Sequence, residues 1–130
     1  MQGRLRGAPL REAAILDNEV KILRSEECVQ SRQHRGVFIR VIHECDAFEV
    51  LRTEMEPGSA FDNVELGDCR AYHFVLDGSP VFRADQQSTD LMPGDSIMFN
   101  HPTPYTISNC APSRSIVLSI LFKTSAMEDA

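Results

Sequence analysis

Apolar residues along this chain gather in short runs broken by turn signals, and no long stretch repeats at helical spacing. Residues 36–43, Gly-Val-Phe-Ile-Arg-Val-Ile-His, are dense in β-branched and aromatic side chains and predict a well-buried strand. Glu44-Cys45-Asp46 turns the chain. Residues 48–55 then predict a second strand with charged positions interleaved, ended by Pro57-Gly58. The polar stretch 59–70, which holds Asp62, Glu65, Asp68 and Arg70, reads as a long loop. Residues 71–76 form the next apolar run, closed by Asp77-Gly78, a pair that supplies positive φ for a tight hairpin. Val81, Phe82 and Arg83 follow, and residues 89–91 lead into the turn at Pro93-Gly94. A short run at Ile97, Met98 and Phe99 passes through Pro102-Thr103-Pro104 into a strand over 105–109. After a turn at 110–113, residues 115–122 make the clearest buried strand of the chain. About eight or nine short strands at this spacing predict an all-β sandwich or barrel.

The ends read differently. Residues 1–7 show no periodicity. Leu10, Ala13, Ala14 and Val20 allow one or two helical turns, cut short by Asp17-Asn18, with a short strand over 20–23. Residues 25–35 are polar and read as a loop. The expected organisation is therefore a partly ordered N-terminal arm over 1–35, irregular or helical, then a barrel over 36–123 and a frayed tail over 124–130.

At 130 residues the chain is long enough for one domain with a single core. A net charge of −6 argues against nucleic acid or an anionic membrane surface as partner. No run reaches the length of a membrane span, and no apolar core stands behind the basic N-terminal residues, so a cytoplasmic location is expected. Cys28, Cys45, Cys69 and Cys110 show no C-x-x-C spacing and read as reduced thiols.

Two stretches carry a resemblance. Phe74-Val-Leu-Asp-Gly78, preceded by Pro57-Gly58, resembles the end of the first motif of the cupin superfamily, small barrels of the jelly-roll type. In the second motif, Gly94 and Asn109 keep their places, while Asn100, Pro102 and Tyr105 stand where the motif has Pro, Gly and His. The resemblance covers roughly half the chain. It implies an all-β, single cupin-type jelly-roll barrel. There is also a faint similarity to ectoine-synthase-like cupins, whose acidic and His positions fall here on Ala71 and Tyr105, so their activity does not transfer.

A typical cupin holds a divalent metal through a His-x-His pair, a Glu and a final His. The resemblance maps these four places onto Glu65, Gly67, Ala71 and Tyr105, which make a poor transition-metal site. No metal ligand and no cofactor is therefore expected; a divalent transition metal is the candidate if there is one. With Ala71 facing the barrel interior, strand alternation turns His73 and Val75 the same way and Tyr72, Phe74 and Leu76 outward. An interior His73 beside Tyr105, the two entering from neighbouring strands, could transfer protons or could be a satisfied core histidine. Glu65, Arg52, Arg83 and His101 are the further candidates for ligand contacts; an inward arginine would suit a carboxylate or phosphate.

Two functions stay open on these grounds. One is a barrel that binds a small polar metabolite without the usual metal. The other is a cupin-type enzyme on a small metabolite, an isomerase or epimerase, a lyase or a dioxygenase-like protein, using His73 and Tyr105 or an atypical metal site. A homodimer paired through the outer apolar face is expected in either case.

Overall fold

A computed structural model of the chain describes residues 14–16, 20–64, 66, 70–98 and 104–123. Among these there are strands and turns and no helix. In chain order the strands are β1 (Ala14–Leu16), β2 (Val20–Ile22), β3 (Gln30–His34), β4 (Val37–Glu44), β5 (Phe48–Met55) and β6 (Ala60–Asp62). They continue as β7 (Arg70–Asp77), β8 (Val81–Ala84), β9 (Gln87–Asp90), β10 (Ser96–Met98), β11 (Thr106–Ser108) and β12 (Ser115–Phe122).

The most apolar strand takes the most sheltered place. β12 lies between β7 and β5 in a six-stranded antiparallel sheet ordered β10-β7-β12-β5-β4-β3. A second sheet, ordered β6-β11-β8-β9, faces it, and β1 pairs with β2 as a separate hairpin. Alternation sorts each long strand into two faces. Val37, Ile39 and Val41 of β4, Leu51 and Met55 of β5, and Val117 and Leu121 of β12 turn inward. They meet Phe61 and Ile107 of the smaller sheet in one core. The fold is the jelly-roll barrel that the motifs implied.

Local chemistry explains the tight turns. Arg35 and Gly36, with φ of 44° and 86°, join β3 to β4, and Asp85 and Gln86, at 51° and 65°, join β8 to β9. Two consecutive left-handed residues make the hairpin turn whose twist matches that of the strands. At the far end of the barrel Asn109, fully buried, ties three segments together. Its Nδ2 donates to the carbonyls of Met55 and Ser113, both at 2.9 Å, and its Oδ1 accepts from the Ala111 amide at 3.2 Å and the Ser115 hydroxyl at 3.1 Å. All of its hydrogen-bonding capacity is used, which is what burial of an amide requires.

Three expectations are corrected here. The N-terminal arm contains a β-hairpin, Ala14 pairing with Ile22, where helical turns were expected. The polar stretch 25–35 contains β3, whose residues Gln30 to His34 pair with β4, so the larger sheet begins before Gly36. The polar stretch 59–70 contains β6, paired to β11. β3 is an edge strand exposed along most of its length, and β6 is only three residues long, so neither carries the apolar alternation that marks a strand in sequence. Residues 1–13, Phe99 and the tail 124–130 lie outside the described residues. None of the described residues forms a helix long and apolar enough to cross a membrane.

Candidate functional site

β7 turns Ala71, His73 and Val75 into the barrel, as the period-two pattern predicts. His73 is 1% exposed, and Ser119 and Tyr105 meet its ring nitrogens from the two sheets. Ser119 stands directly across from it on β12. His73 Nδ1 lies 2.7 Å from Ser119 Oγ. Its Nε2 lies 2.8 Å from the hydroxyl of Tyr105, the residue just before β11 in the smaller sheet. His73 and Tyr105 thus meet from facing sheets, where neighbouring strands were expected.

Tyr105 is itself held. Its amide donates to Asn63 Oδ1 at 3.1 Å, and its carbonyl accepts from the Asn63 amide at 3.3 Å. Asn63 directly follows β6, so the short strand missed in the sequence is what fixes the tyrosine backbone. Aromatic packing completes the setting. Phe61 and Tyr105 approach the imidazole edge-on, with centroids 6.0 Å and 5.5 Å away, a geometry aromatic rings favour. Phe82 leans on Tyr105 at 5.7 Å.

Burial lowers the His73 pKa from 6.5 to about 4, because an imidazolium loses its hydration in the interior. The ring is therefore neutral at physiological pH. A neutral imidazole has one donor and one acceptor nitrogen. In one tautomer Tyr105 donates to Nε2 and Nδ1–H donates to Ser119; in the other both bonds run in reverse. The row Tyr105–His73–Ser119 is a chain of exchangeable protons whose direction can invert. Thr53 adds a third hydroxyl on the same inner surface. It is two residues from Leu51, the β5 partner of Ser119, and its buried Oγ1 has no hydrogen-bond partner among the described residues.

The other sequence candidates lie elsewhere. Arg52 points outward from β5 and pairs with Glu54 Oε2 at 3.2 Å. Arg83 is exposed on β8, where its Nε donates to Ser88 Oγ at 3.1 Å. Neither joins His73 and Tyr105, because strand alternation gives the inner positions to their neighbours. Glu65 and His101 lie outside the described residues, as do Gly67 and Cys69. Sequence reasoning missed Ser119, Asn63 and Thr53. Ser119 left a trace: with Ser115 it is a polar residue at even spacing in the most apolar strand of the chain.

The described residues do not fit a transition metal. No three His, Cys, Asp or Glu side chains among them converge, Ala71 offers no donor, and the Tyr105 hydroxyl is bonded to His73. Hydroxyls and a single imidazole are a weak set for such ions.

No protein-family model matches the sequence, and no curated protein matches it. Solved structures do resemble the fold. A cupin 2 conserved barrel domain protein from Salinispora arenicola superposes with a TM-score of 0.66 at 11% identity, over 85% of this chain and 93% of that one. The polyketide cyclase RemF from Streptomyces resistomycificus gives 0.66 at 16% identity, over 79% of each chain. A cupin-superfamily sugar phosphate isomerase from Silicibacter pomeroyi gives 0.58 at 20% identity, covering 68% of this chain and 60% of that one. This chain therefore spans less than two thirds of that isomerase's length. These likenesses show a cupin fold. The faint similarity to ectoine-synthase-like cupins finds no support among them.

Proposed function

We propose that this cupin-fold chain binds a small polar metabolite inside its barrel, through neutral hydrogen-bonding groups rather than a metal, and that it works as a two-fold homodimer. One observation carries the reading: a buried, uncharged histidine is bonded at both ring nitrogens, to Ser119 and Tyr105, across the two sheets. A few converging polar groups in an apolar interior are what a small-molecule site needs. A hydroxyl or carbonyl group reaching this row could bond to the Tyr105 hydroxyl, which can donate and accept at once, without burying a charge.

A second reading is favoured by the direction of the row. Because the tautomer can invert, His73 can take a proton from one partner while passing another on. Such a relay would suit an isomerase or cyclase, the activities named for two of the structural neighbours.

The test uses the ring itself. Nitrogen NMR of His73 reports which nitrogen is protonated, and a panel of sugar phosphates, sugar acids and hydroxy acids is titrated one at a time. Binding to the interior shifts both ring nitrogens and is lost in Tyr105→Phe. A panel member that binds with no change at His73 would overturn the assignment of the site. Turnover of a bound compound would favour the relay over the simple binder.

A further inference from the structure

A cleft of about 370 Å³ lies on the outer face of the six-stranded sheet, where the segment after β2 passes over β4 and β5. Leu23, Ile42 and Val50 give it an apolar floor, and Lys21, Arg24 and Arg52 stand around it. Among the described residues that line it none is acidic. His43 closes one side, its ring packed 5.6 Å from that of Phe48.

Surface lysines and arginines are most often simply solvated. Here several of the nearby carboxylates are already engaged. Glu54 accepts from three guanidinium groups, Arg40 at 2.7 Å, Arg52 at 3.2 Å and Arg114 at 3.4 Å. Glu49 pairs with Arg32, and Glu44 with Lys123. Glu27 accepts from the Arg24 amide, which leaves the guanidinium of that residue out of the contact. Lys21 and Arg24 have no ion-pair partner among the described residues. A chain of net charge −6 thus carries a local cationic surplus over an apolar floor.

We infer that this cleft binds a small amphiphilic anion, an apolar chain or ring that carries a carboxylate or phosphate. The apolar part leaves water against Leu23, Ile42 and Val50. The anionic head sits among Lys21, Arg24 and Arg52, where a guanidinium offers paired donors to a planar carboxylate or to phosphate. The site is on the outer face of the sheet whose inner face carries His73, so it does not depend on the interior reading.

The experiment uses octanoate, octyl phosphate, octanol and octylamine as probes, with methyl NMR on the whole chain. Octanoate and octyl phosphate are expected to shift the Ile42 and Val50 methyls saturably, and the tighter of the two names the head group. Octanol and octylamine are expected to bind at least about tenfold more weakly, since they keep the tail and lose the charge match. Lys21 and Arg24 are both exposed, so the double variant K21E/R24E should keep the wild-type circular dichroism spectrum and melting curve. It should weaken octanoate by about tenfold or more, and added salt should weaken wild-type binding in the same direction. Equal binding of octanol, undiminished binding by K21E/R24E, or no shift at Ile42 and Val50 up to the solubility limit would each overturn the site. Shifts confined to the inward methyls of Val117 and Leu121 would overturn it too and would point to the interior instead.

Discussion

Tyr105 and His73 join the two sheets of the barrel through one bond of 2.8 Å between the phenol and Nε2. Both side chains are buried, at 5% and 1% exposure, so loss of either partner strands the other away from water. Tyr105→Phe removes only an oxygen and leaves the ring packing with Phe82 in place. It is expected to destabilise the fold by about 1–3 kcal/mol, the usual cost of an unpaired buried polar group. Ser119→Ala should cost a similar amount. Chemical denaturation of both single variants and the double variant measures this, and the two losses should be non-additive because the partners share one ring. A Tyr105→Phe variant as stable as the parent would mean that the bond contributes little to holding the sheets.

Acid should weaken this protein through the same ring. His73 has a pKa of about 4 in the folded chain against 6.5 when unfolded. Between these values the unfolded state binds the extra proton, so stability rises with pH across the window and is fully present above about 6.5. As pH falls from 6.5 to 4, the shift implies a loss of about 3 kcal/mol from this residue. Denaturation midpoints of the wild type and His73→Gln over that range test it. The wild-type curve should fall more steeply, and parallel curves would rule out His73 as the source.

What the sequence shows of this fold follows from where the burial lies. β5 and β12 match their predicted spans, 48–55 and 115–122, because each is an inner strand with a strong apolar alternation. The inward set Ala71, His73 and Val75 was equally legible, since period two fixes a face once a single member is placed. β3 was not, because an edge strand of polar residues makes its sheet bonds without burying an apolar face. Asn63 and Ser119 escaped for another reason. Their role is a contact between neighbouring strands that are distant in sequence, with partners 42 and 46 residues away in the chain. Nothing local marks such a contact.

Gly78 should be intolerant of any side chain. Its φ is +87°, and an added Cβ would collide with the Ser115 hydroxyl and lie 2.6 Å from the Ser115 Cα and 2.8 Å from the Arg114 carbonyl. The obstacles are mostly backbone at the start of β12, which cannot step aside without disturbing Ser115 and its bond to Asn109. Gly94 is the control. Its φ of +97° is equally left-handed, yet nothing lies within 4 Å of its Cβ position. Gly94→Ala should therefore cost about 1–2 kcal/mol for the backbone alone, and Gly78→Ala about 2–4 kcal/mol or outright failure to fold. Equal melting temperatures for the two variants would show that the close approach at Gly78 relaxes freely.

The outer face of the larger sheet makes the last prediction, a dimer. Across β10, β7 and β12, Met98 stands opposite Tyr72 and Tyr72 opposite Ile120, while Phe74 is opposite Leu118. These side chains turn away from the core, and Met98 is 67% exposed. A contiguous apolar patch of this kind marks an interface more often than a bare surface. At β12 the patch borders the cationic cleft, with Leu118 opposite Arg52 and Ile120 opposite Val50. A patch covered by its own copy gives a closed two-fold pair. Light scattering at micromolar protein should give twice the mass of the chain, and Leu118→Asp should halve it. Leu118 is only half-buried and outside the core, so that variant should keep the wild-type circular dichroism spectrum. A wild type that scatters as a monomer would exclude the pairing, and a Leu118→Asp dimer would move the interface to another face.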